Sequence, residues 1–219
     1  STPGGGRGGR HRFTGNGGTF VRGYGKIIGP RVVEVDGVRY TATKALVIAA
    51  GTKAAIPPIP GLDTVPFWTN REALKSREVP ESLVVLGGGA IGCELAQVFN
   101  RFGSKVTIIE AAPRLIALEE PEAGEILAQS LTDDGISVIV GVGAKSVAKD
   151  AATGDVSVTL ADGSVVSGAV LLVATGRTSD LKSISAEVLG VDPKTHRALP
   201  TNNFLEVVDD SDSIVSGVY

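Results

Sequence analysis

Four apolar residues, Leu83-Val84-Val85-Leu86, run straight into Gly87-Gly88-Gly89-Ala90-Ile91-Gly92-Cys93-Glu94-Leu95-Ala96. The first four make a short buried strand, Gly87-x-Gly89-x-x-Gly92 turns the chain, and an apolar-periodic helix starts at once. A lone G-x-G-x-x-G is a weak signal. Here a strand precedes it, a helix follows it, and an acid, Glu110, ends the next strand, which together read as a dinucleotide-binding turn. The glycines serve different ends. Gly87 allows the tight turn, Gly89 lets the backbone approach a pyrophosphate, and Gly92 permits close helix–strand packing. Unpaired N–H groups and the positive dipole end at the helix N-terminus receive the phosphates. Gly87, Gly88, Gly89, Ala90, Ile91 and Gly92 are therefore the candidate cofactor-binding turn. The alternative is a glycine turn in an α/β fold with no ligand.

The rest of the composition narrows the class. A chain of 219 residues is long enough for one large or two modest domains with real cores. Hydrophobic residues make up 42% and charged residues 21%, a globular composition and not a disordered one. The net charge of −3 leaves no basic footprint, which argues against nucleic acid as the main partner. No run reaches the length of a transmembrane helix and no signal segment opens the chain, so a cytoplasmic protein is expected. The single cysteine, Cys93, excludes an internal disulfide and any Cys-x-x-Cys pair. It reads as a small buried residue facing the sheet; a reactive thiol at a helix N-terminus is the alternative. His11 and His196 have no neighbours that suggest a metal cluster or a triad and read as surface residues, so no metal site is expected.

In chain order, residues 1–18 are glycine- and arginine-rich without apolar periodicity and read as a flexible segment, with an RNA-binding arm as the sharper alternative. Short β-type pieces follow from Thr19. Arg31–Val35 and Val38–Ala42 flank Asp36-Gly37, a strong two-residue hairpin signal. Ala45–Thr52 is continuously apolar, as a central parallel strand buried on both faces would be. Ile56-Pro57-Pro58-Ile59-Pro60-Gly61 reads as a stiff linker and a candidate domain boundary. Phe67–Pro80 holds a helix capped by Thr69 or Asn70. Helices are expected over Ala90–Phe102, stopped by Gly103, and from about Pro121 to Asp134, stopped by Gly135. Strands Lys105–Glu110 and Ile136–Val140 complete a βαβαβ unit, half of a doubly wound parallel sheet. Ala144–Lys149, Val156–Leu160 and Gly163–Val166 form an antiparallel meander on that sheet. Ala169–Arg177 then repeats the form of Ala45–Thr52, an apolar run ending in glycine. That bracketing suggests a chain that leaves one domain, builds a second and returns. Phe204–Val208 and Ile214–Tyr219 are further β-type pieces.

At these residues the chain resembles the pyridine nucleotide-disulfide oxidoreductases, the FAD flavoenzymes that include dihydrolipoamide dehydrogenase and mercuric reductase. The matches are Gly23-Tyr24-Gly25-Lys26-Ile27-x-Gly29, Ala49–Gly61, Gly87–Glu94, Val106-Thr107-x-x-Glu110 and Ala174-Thr175-Gly176-Arg177. They span about Phe20 to Tyr219 in family order. The resemblance implies an NAD-binding domain inserted in a partial FAD domain, with boundaries 1–62, 63–175 and 176–219. It implies that Gly87, Gly89 and Gly92 hold the NAD(P)H pyrophosphate, that Gly176 contacts the nicotinamide end, and that Gly25, Ala50 and Gly51 line FAD. Glu94, on the first turn of the helix, would lie near nicotinamide and flavin as the catalytic candidate; an acid stabilised by the helix dipole is the alternative. The Glu110 carboxylate can accept both adenosine-ribose hydroxyls and repel a 2′-phosphate, which favours NADH over NADPH. Arg114 is the nearby cation that could argue otherwise.

The family's first FAD turn, its Cys-x-x-x-x-Cys pair, its Gly-Asp flavin motif and its dimerisation domain are not in these residues, so the chain reads as a segment. The expected function is that of an FAD- and NADH-dependent oxidoreductase, homodimeric when full length. It would pass hydride to flavin and on to a disulfide or similar acceptor, and the segment alone would bind NAD(H) without turnover. A non-catalytic NAD-binding module and a flavin reductase of quinone, oxygen or metal without a cysteine pair are the alternatives.

Overall fold

The computed structural model describes residues 6–219 and divides into two compact units, residues up to Thr52 with Ser179–Tyr219, and Lys53–Thr178. The first unit opens with helix α1 (Gly6–Gly15), where a flexible segment is expected from sequence; the same expectation for residues 1–5 lies outside the described residues. What closes this glycine-rich helix is a Schellman motif. Gly17, at φ 82°, donates to Thr14 O (3.0 Å), and Gly18 donates to Phe13 O (3.1 Å). The double-glycine stop is thus the local signal that composition alone conceals.

Strands β1 (Gly25–Gly29), β2 (Val32–Val35) and β3 (Val38–Thr41) form an antiparallel sheet. Val35 pairs with Val38 across the two-residue turn, whose Asp36 and Gly37 have φ 48° and 81°. Both central residues are left-handed, the geometry that matches strand twist. Thr19–Arg22 forms no strand; Arg22 lies over the Phe20 ring at 5.8 Å. The apolar run at Ala45–Thr52 is not buried on both faces. It pairs in parallel with the chain end, Leu46 N–H donating to Gly217 O (2.9 Å) and Ile48 N–H to Tyr219 O (2.7 Å). Leu46 and Ile48 pack on a core of Ile27, Leu181, Ala186, Leu189 and Val218, while Val47 between them is 70% exposed. One face is packed and the other open, so continuous apolarity here does not report double burial.

The second unit carries the parallel sheet. After β4 (Lys53–Ala54) come α2 (Asn70–Lys75), β5 (Ser82–Leu86), α3 (Ala90–Arg101), β6 (Lys105–Glu110), α4 (Pro121–Asp133) and β7 (Ser137–Val140). The meander β8 (Ala144–Lys149), β9 (Val156–Leu160) and β10 (Val165–Gly168) follows, then β11 (Val170–Val173) and β12 (Arg177–Thr178), which pairs with β4. The parallel order is β11-β5-β6-β7, with Leu83 opposite both Val170 and Val106. Side chains alternate across β5. Leu83 and Val85 pack with Ala96, Phe99 and Leu131 on the helical side. Val84 and Leu86 pack with Val147, Val156 and Val158 of the meander on the other. A strand buried on both faces needs apolar residues at every position, which is why β5 reads as an unbroken run.

Thr69 caps α2 in a reciprocal box with Glu72, whose carboxyl the Thr69 hydroxyl and N–H hold below the usual carboxylate range. This helix ends at Lys75, short of the expected Pro80, because Ser76 turns extended (ψ 137°) and its hydroxyl bonds the Glu78 backbone. The proline run is also packed instead of hanging free. Pro60 O accepts the Val147 N–H at 2.9 Å, and a Cβ on Gly61 would meet Val147 O at 1.9 Å. Prolines lack the N–H groups of a ladder strand, but their carbonyls and rings still dock. No helix among the described residues is long and apolar enough to cross a membrane.

The two apolar runs predict different responses. Leu83→Ala, in the centre of β5, should cost about 2–5 kcal/mol in urea unfolding followed by circular dichroism. Val47→Thr, on the open face, should stay within about 0.5 kcal/mol.

Candidate functional site

A cleft of about 670 Å³ lies at the C-terminal ends of the parallel strands of the second unit. Its walls follow the sheet order. Ala174, Thr175 and Gly176 come after β11; Gly87, Gly89, Ala90 and Ile91 after β5; Glu110, Ala111, Ala117 and Leu118 at and after β6; and Gly143 and Ala144 after β7. Open parallel sheets bind ligands at this edge because turns and helix N-termini converge there. The volume is within the range of about 300–1,000 Å³ typical of ligand pockets.

Sterics separate the glycines. Gly87 has φ 108°, and a Cβ there would meet Ala174 O at 2.5 Å. A Cβ on Gly92 would meet Gly87 O at 2.0 Å and Val85 Cγ1 at 3.4 Å, so only glycine lets α3 approach β5 this closely. A Cβ on Gly88 would meet Leu115 Cδ2 at 2.5 Å. A Cβ on Gly89 would meet nothing within 4 Å, and its backbone is extended (φ −75°, ψ 178°). A side chain at Gly87 or Gly92 would strike backbone atoms, one at Gly88 would have to displace the Leu115 side chain, and one at Gly89 would enter open space. Gly89 is also the N-cap of α3 and brings no capping side chain, so the first-turn N–H groups lack a side-chain acceptor. That is a fit for an anionic pyrophosphate.

Glu110 joins the turn to the next strand. Its Oε2 accepts the Gly88 N–H at 2.6 Å and its Oε1 accepts the Ala112 N–H at 2.7 Å. An ionised carboxylate offers about four lone-pair sites, so two remain for other donors. Arg114 does not approach Glu110 as a phosphate receptor would; its Nη2 donates to Ala117 O (2.8 Å) and Glu119 O (2.7 Å). Cys93 is buried, its thiol donating to Gly88 O at 3.3 Å. Burial, with the Glu110 and Glu94 charges adding, pushes that thiol up to about 11. Burial and the raised pKa both argue against the reactive-thiol alternative, since they favour the protonated form.

The structure gathers Gly87, Gly89, Ala90, Ile91, Glu110 and Gly176 on the cleft wall, with Gly88 and Gly92 directly behind it. Glu94 stands apart. It is the fifth residue of α3, hence in its second turn and not its first, and is exposed without lining the cleft. In the first unit, Ala50 and Gly51 border a separate pocket of about 220 Å³, whereas Gly25 sits exposed in β1 opposite Val35. His196 bonds Asp210 Oδ1 at 2.8 Å and His11 is exposed. Sequence reasoning misses Pro57 and Ile59, hidden by the linker reading, and the loop residues Ala117 and Leu118. The run Leu115-Ile116-Ala117-Leu118, apolar yet in a strand–helix loop, is the signal that could have revealed the latter.

Comparison with known proteins agrees with this architecture. Residues 7–219 match the family described as pyridine nucleotide-disulphide oxidoreductase. A mercuric reductase of Staphylococcus aureus is 32% identical over 188 residues, covering 85% of this chain and 34% of that protein. A dihydrolipoyl dehydrogenase of Chlorobaculum tepidum is 37% identical over 169 residues, covering 75% of this chain and 36% of that one. The solved HOCl-induced flavoprotein disulfide reductase RclA from Escherichia coli superposes with a TM-score of 0.77 at 26% identity, covering 96% of this chain and 47% of that one. The chain thus spans about a third of the length of these curated relatives. On its matched residues, its parallel sheet and its glycine turn, the chain belongs to the pyridine nucleotide-disulphide oxidoreductase family.

Proposed function

We propose that this chain is the nucleotide-binding part of a flavoprotein oxidoreductase that takes reducing equivalents from NADH and passes them, through FAD, to a disulfide or similar acceptor. The observation that carries the reading is Gly89, open to the cleft where its neighbouring glycines are closed by protein atoms. When bound, the nicotinamide would supply hydride chemistry to the flavin, and the protein's part would be to hold and orient them.

The chain's own residues share the binding between them. The first-turn N–H groups of α3 hold the pyrophosphate. The two free lone-pair sites of Glu110 accept the adenosine-ribose hydroxyls, and its charge repels a 2′-phosphate. The commitment of Arg114 to two carbonyls supports the same NADH preference, since it leaves that cation turned toward its own loop. Gly176, with φ 119°, lies after β11 at the end of the cleft opposite Glu110's loop, consistent with the nicotinamide end. Glu94, exposed on α3, is proposed to face the nicotinamide and flavin. The first-unit pocket is smaller than the usual lower bound of about 300 Å³ for a ligand site. It fits part of an FAD at most, so no step is assigned to Gly25, Ala50 or Gly51. In the full-length protein we propose a homodimer with the nucleotide site on each protomer.

Three measurements test this reading. Gly89→Ala should fold as well as the parent, because its Cβ enters open space with an unstrained φ, yet weaken NADH binding about tenfold by calorimetry; undiminished binding would remove the pyrophosphate from this turn. NADH should bind more tightly than NADPH, and Glu110→Ala should shrink the difference about tenfold. That variant also releases the Gly88 and Ala112 N–H groups, so the ratio of affinities is the readout; equal affinities in the parent would sink the role of Glu110. Finally, iodoacetamide at pH 8 should leave Cys93 unmodified in the native chain while alkylating it in urea. Native-state alkylation at the unfolded rate would mean an accessible thiolate and reopen Cys93 as an electron-passing thiol.

A further inference from the structure

The loop between β6 and α4 breaks three local rules within five residues. Ile116 has φ 41°, the left-handed region that a β-branched residue rarely enters. Arg114 Nε is buried and, among the described residues, is a polar side-chain atom left without a hydrogen-bond partner. Leu118 is 100% exposed although it borders an apolar cleft. Strain, an unmet donor and an uncovered apolar side chain are each unfavourable, and their coincidence is characteristic of sites that perform work for a ligand.

The hydrogen bonds show what sustains the distortion. Ile116 N–H donates to Gly88 O (2.8 Å), which ties the loop to the glycine turn, and Glu119 N–H donates back to Ile116 O (2.8 Å). From one side Arg114 Nη2 clamps the carbonyls of Ala117 and Glu119, the residues on either side of Leu118. Beneath it the Arg114 stem and Leu115 O sit against Gly124 of α4; a Cβ there would lie 3.4 Å from Arg114 Cδ and 2.7 Å from Leu115 O. Leu115 itself is fully buried. The turn is therefore held at both ends, while the Leu118 side chain within it stands fully exposed.

We propose that Arg114 is a positioning residue for the adenosine half of the dinucleotide: it holds the Ile116 turn so that Leu118 stands as an apolar wall over the adenine. This rests on reading the cleft as the dinucleotide site. Sheet order fixes which half is meant. Leu118 and Ala117 follow β6, the strand that ends in Glu110, and lie toward Gly143 and Ala144 after β7, away from Gly176 after β11. An adenine base offers a flat apolar face that a leucine can cover, and covering it removes the exposed surface that the free loop carries.

The experiment is calorimetric titration of the chain with ADP-ribose, which carries the adenosine and pyrophosphate but no nicotinamide. Leu118→Ala, at a fully exposed position that the fold does not need, should weaken ADP-ribose about fivefold to tenfold. Arg114→Ala should lose about as much, Arg114→Lys less, and the double variant Arg114→Ala/Leu118→Ala no more than Arg114→Ala alone, since both act through one contact. Unchanged affinity in Leu118→Ala, or losses that add in the double variant, would overturn the proposal while leaving the cleft reading intact. Failure of the parent chain to bind ADP-ribose at all would overturn both.

Discussion

The Glu110 carboxylate is the smallest interaction on which the cleft depends. Its two oxygens take the N–H groups of Gly88 and Ala112, one in the turn after β5 and one in the loop after β6. Charge-assisted bonds of this kind contribute about 1.5–3 kcal/mol each, more than a neutral backbone pair. They reinforce the backbone bonds that already join the same segments, Gly87 N–H to Ile109 O (2.9 Å) and Ile116 N–H to Gly88 O (2.8 Å). Gly88 is thereby held through both its backbone groups, its N–H by Glu110 and its carbonyl by the Ile116 N–H. The two bonds to Glu110 leave half of the carboxylate's acceptor capacity facing the cleft, so one side chain both builds the site and presents a polar group to it.

The glycine turn is built on the complementary principle of exclusion. Gly87 and Gly92 are closed off by Ala174 O and by Gly87 O itself, and these contacts bring β11, β5 and α3 within backbone distance of one another. Close approach of α3 leaves its N-terminus at the sheet edge, and the absence of a capping side chain at Gly89 leaves its N–H groups to the cleft. Cys93 fits this arrangement as packing. A small, protonated sulfur fills the space under the turn and donates to Gly88 O, where a thiolate would meet the Glu110 and Glu94 charges. The chemistry of the site thus lies in backbone geometry and one carboxylate, with little left for the thiol.

The second unit is legible in the sequence where local and global requirements coincide. Unbroken apolarity at Leu83–Leu86, glycines at 87, 89 and 92, the stops at Gly103 and Gly135, and the terminal acid of β6 each have one economical structural answer, and they agree with one another. The same signals fail where environment, not sequence, decides. Ala45–Ala50 and Val170–Val173 look alike, yet the latter is sandwiched between helices and meander while the former has one open face. Apolarity states what a residue tolerates; burial depends on what arrives from elsewhere in the chain. The proline run misleads for a related reason. Proline's exclusion from a ladder says nothing about docking through carbonyls, which is how Pro60 meets Val147.

The loop after β6 shows why the rim of the cleft is the least legible part. Sequence rules rest on residues following their own preferences, and Ile116, Arg114 and Leu118 each depart from theirs. A left-handed isoleucine is held only because Gly88 accepts its N–H on one side while Arg114 fixes the following carbonyls on the other. Both supports are long-range in their consequences: Gly88 is placed by Glu110, and Arg114 by the approach of α4 at Gly124. The distortion is therefore a property of the assembled βαβ unit, and no window of sequence contains it. Its persistence follows from the staple at Glu110, since a turn that could relax away from Gly88 would return Ile116 to an ordinary conformation and take Leu118 from the cleft.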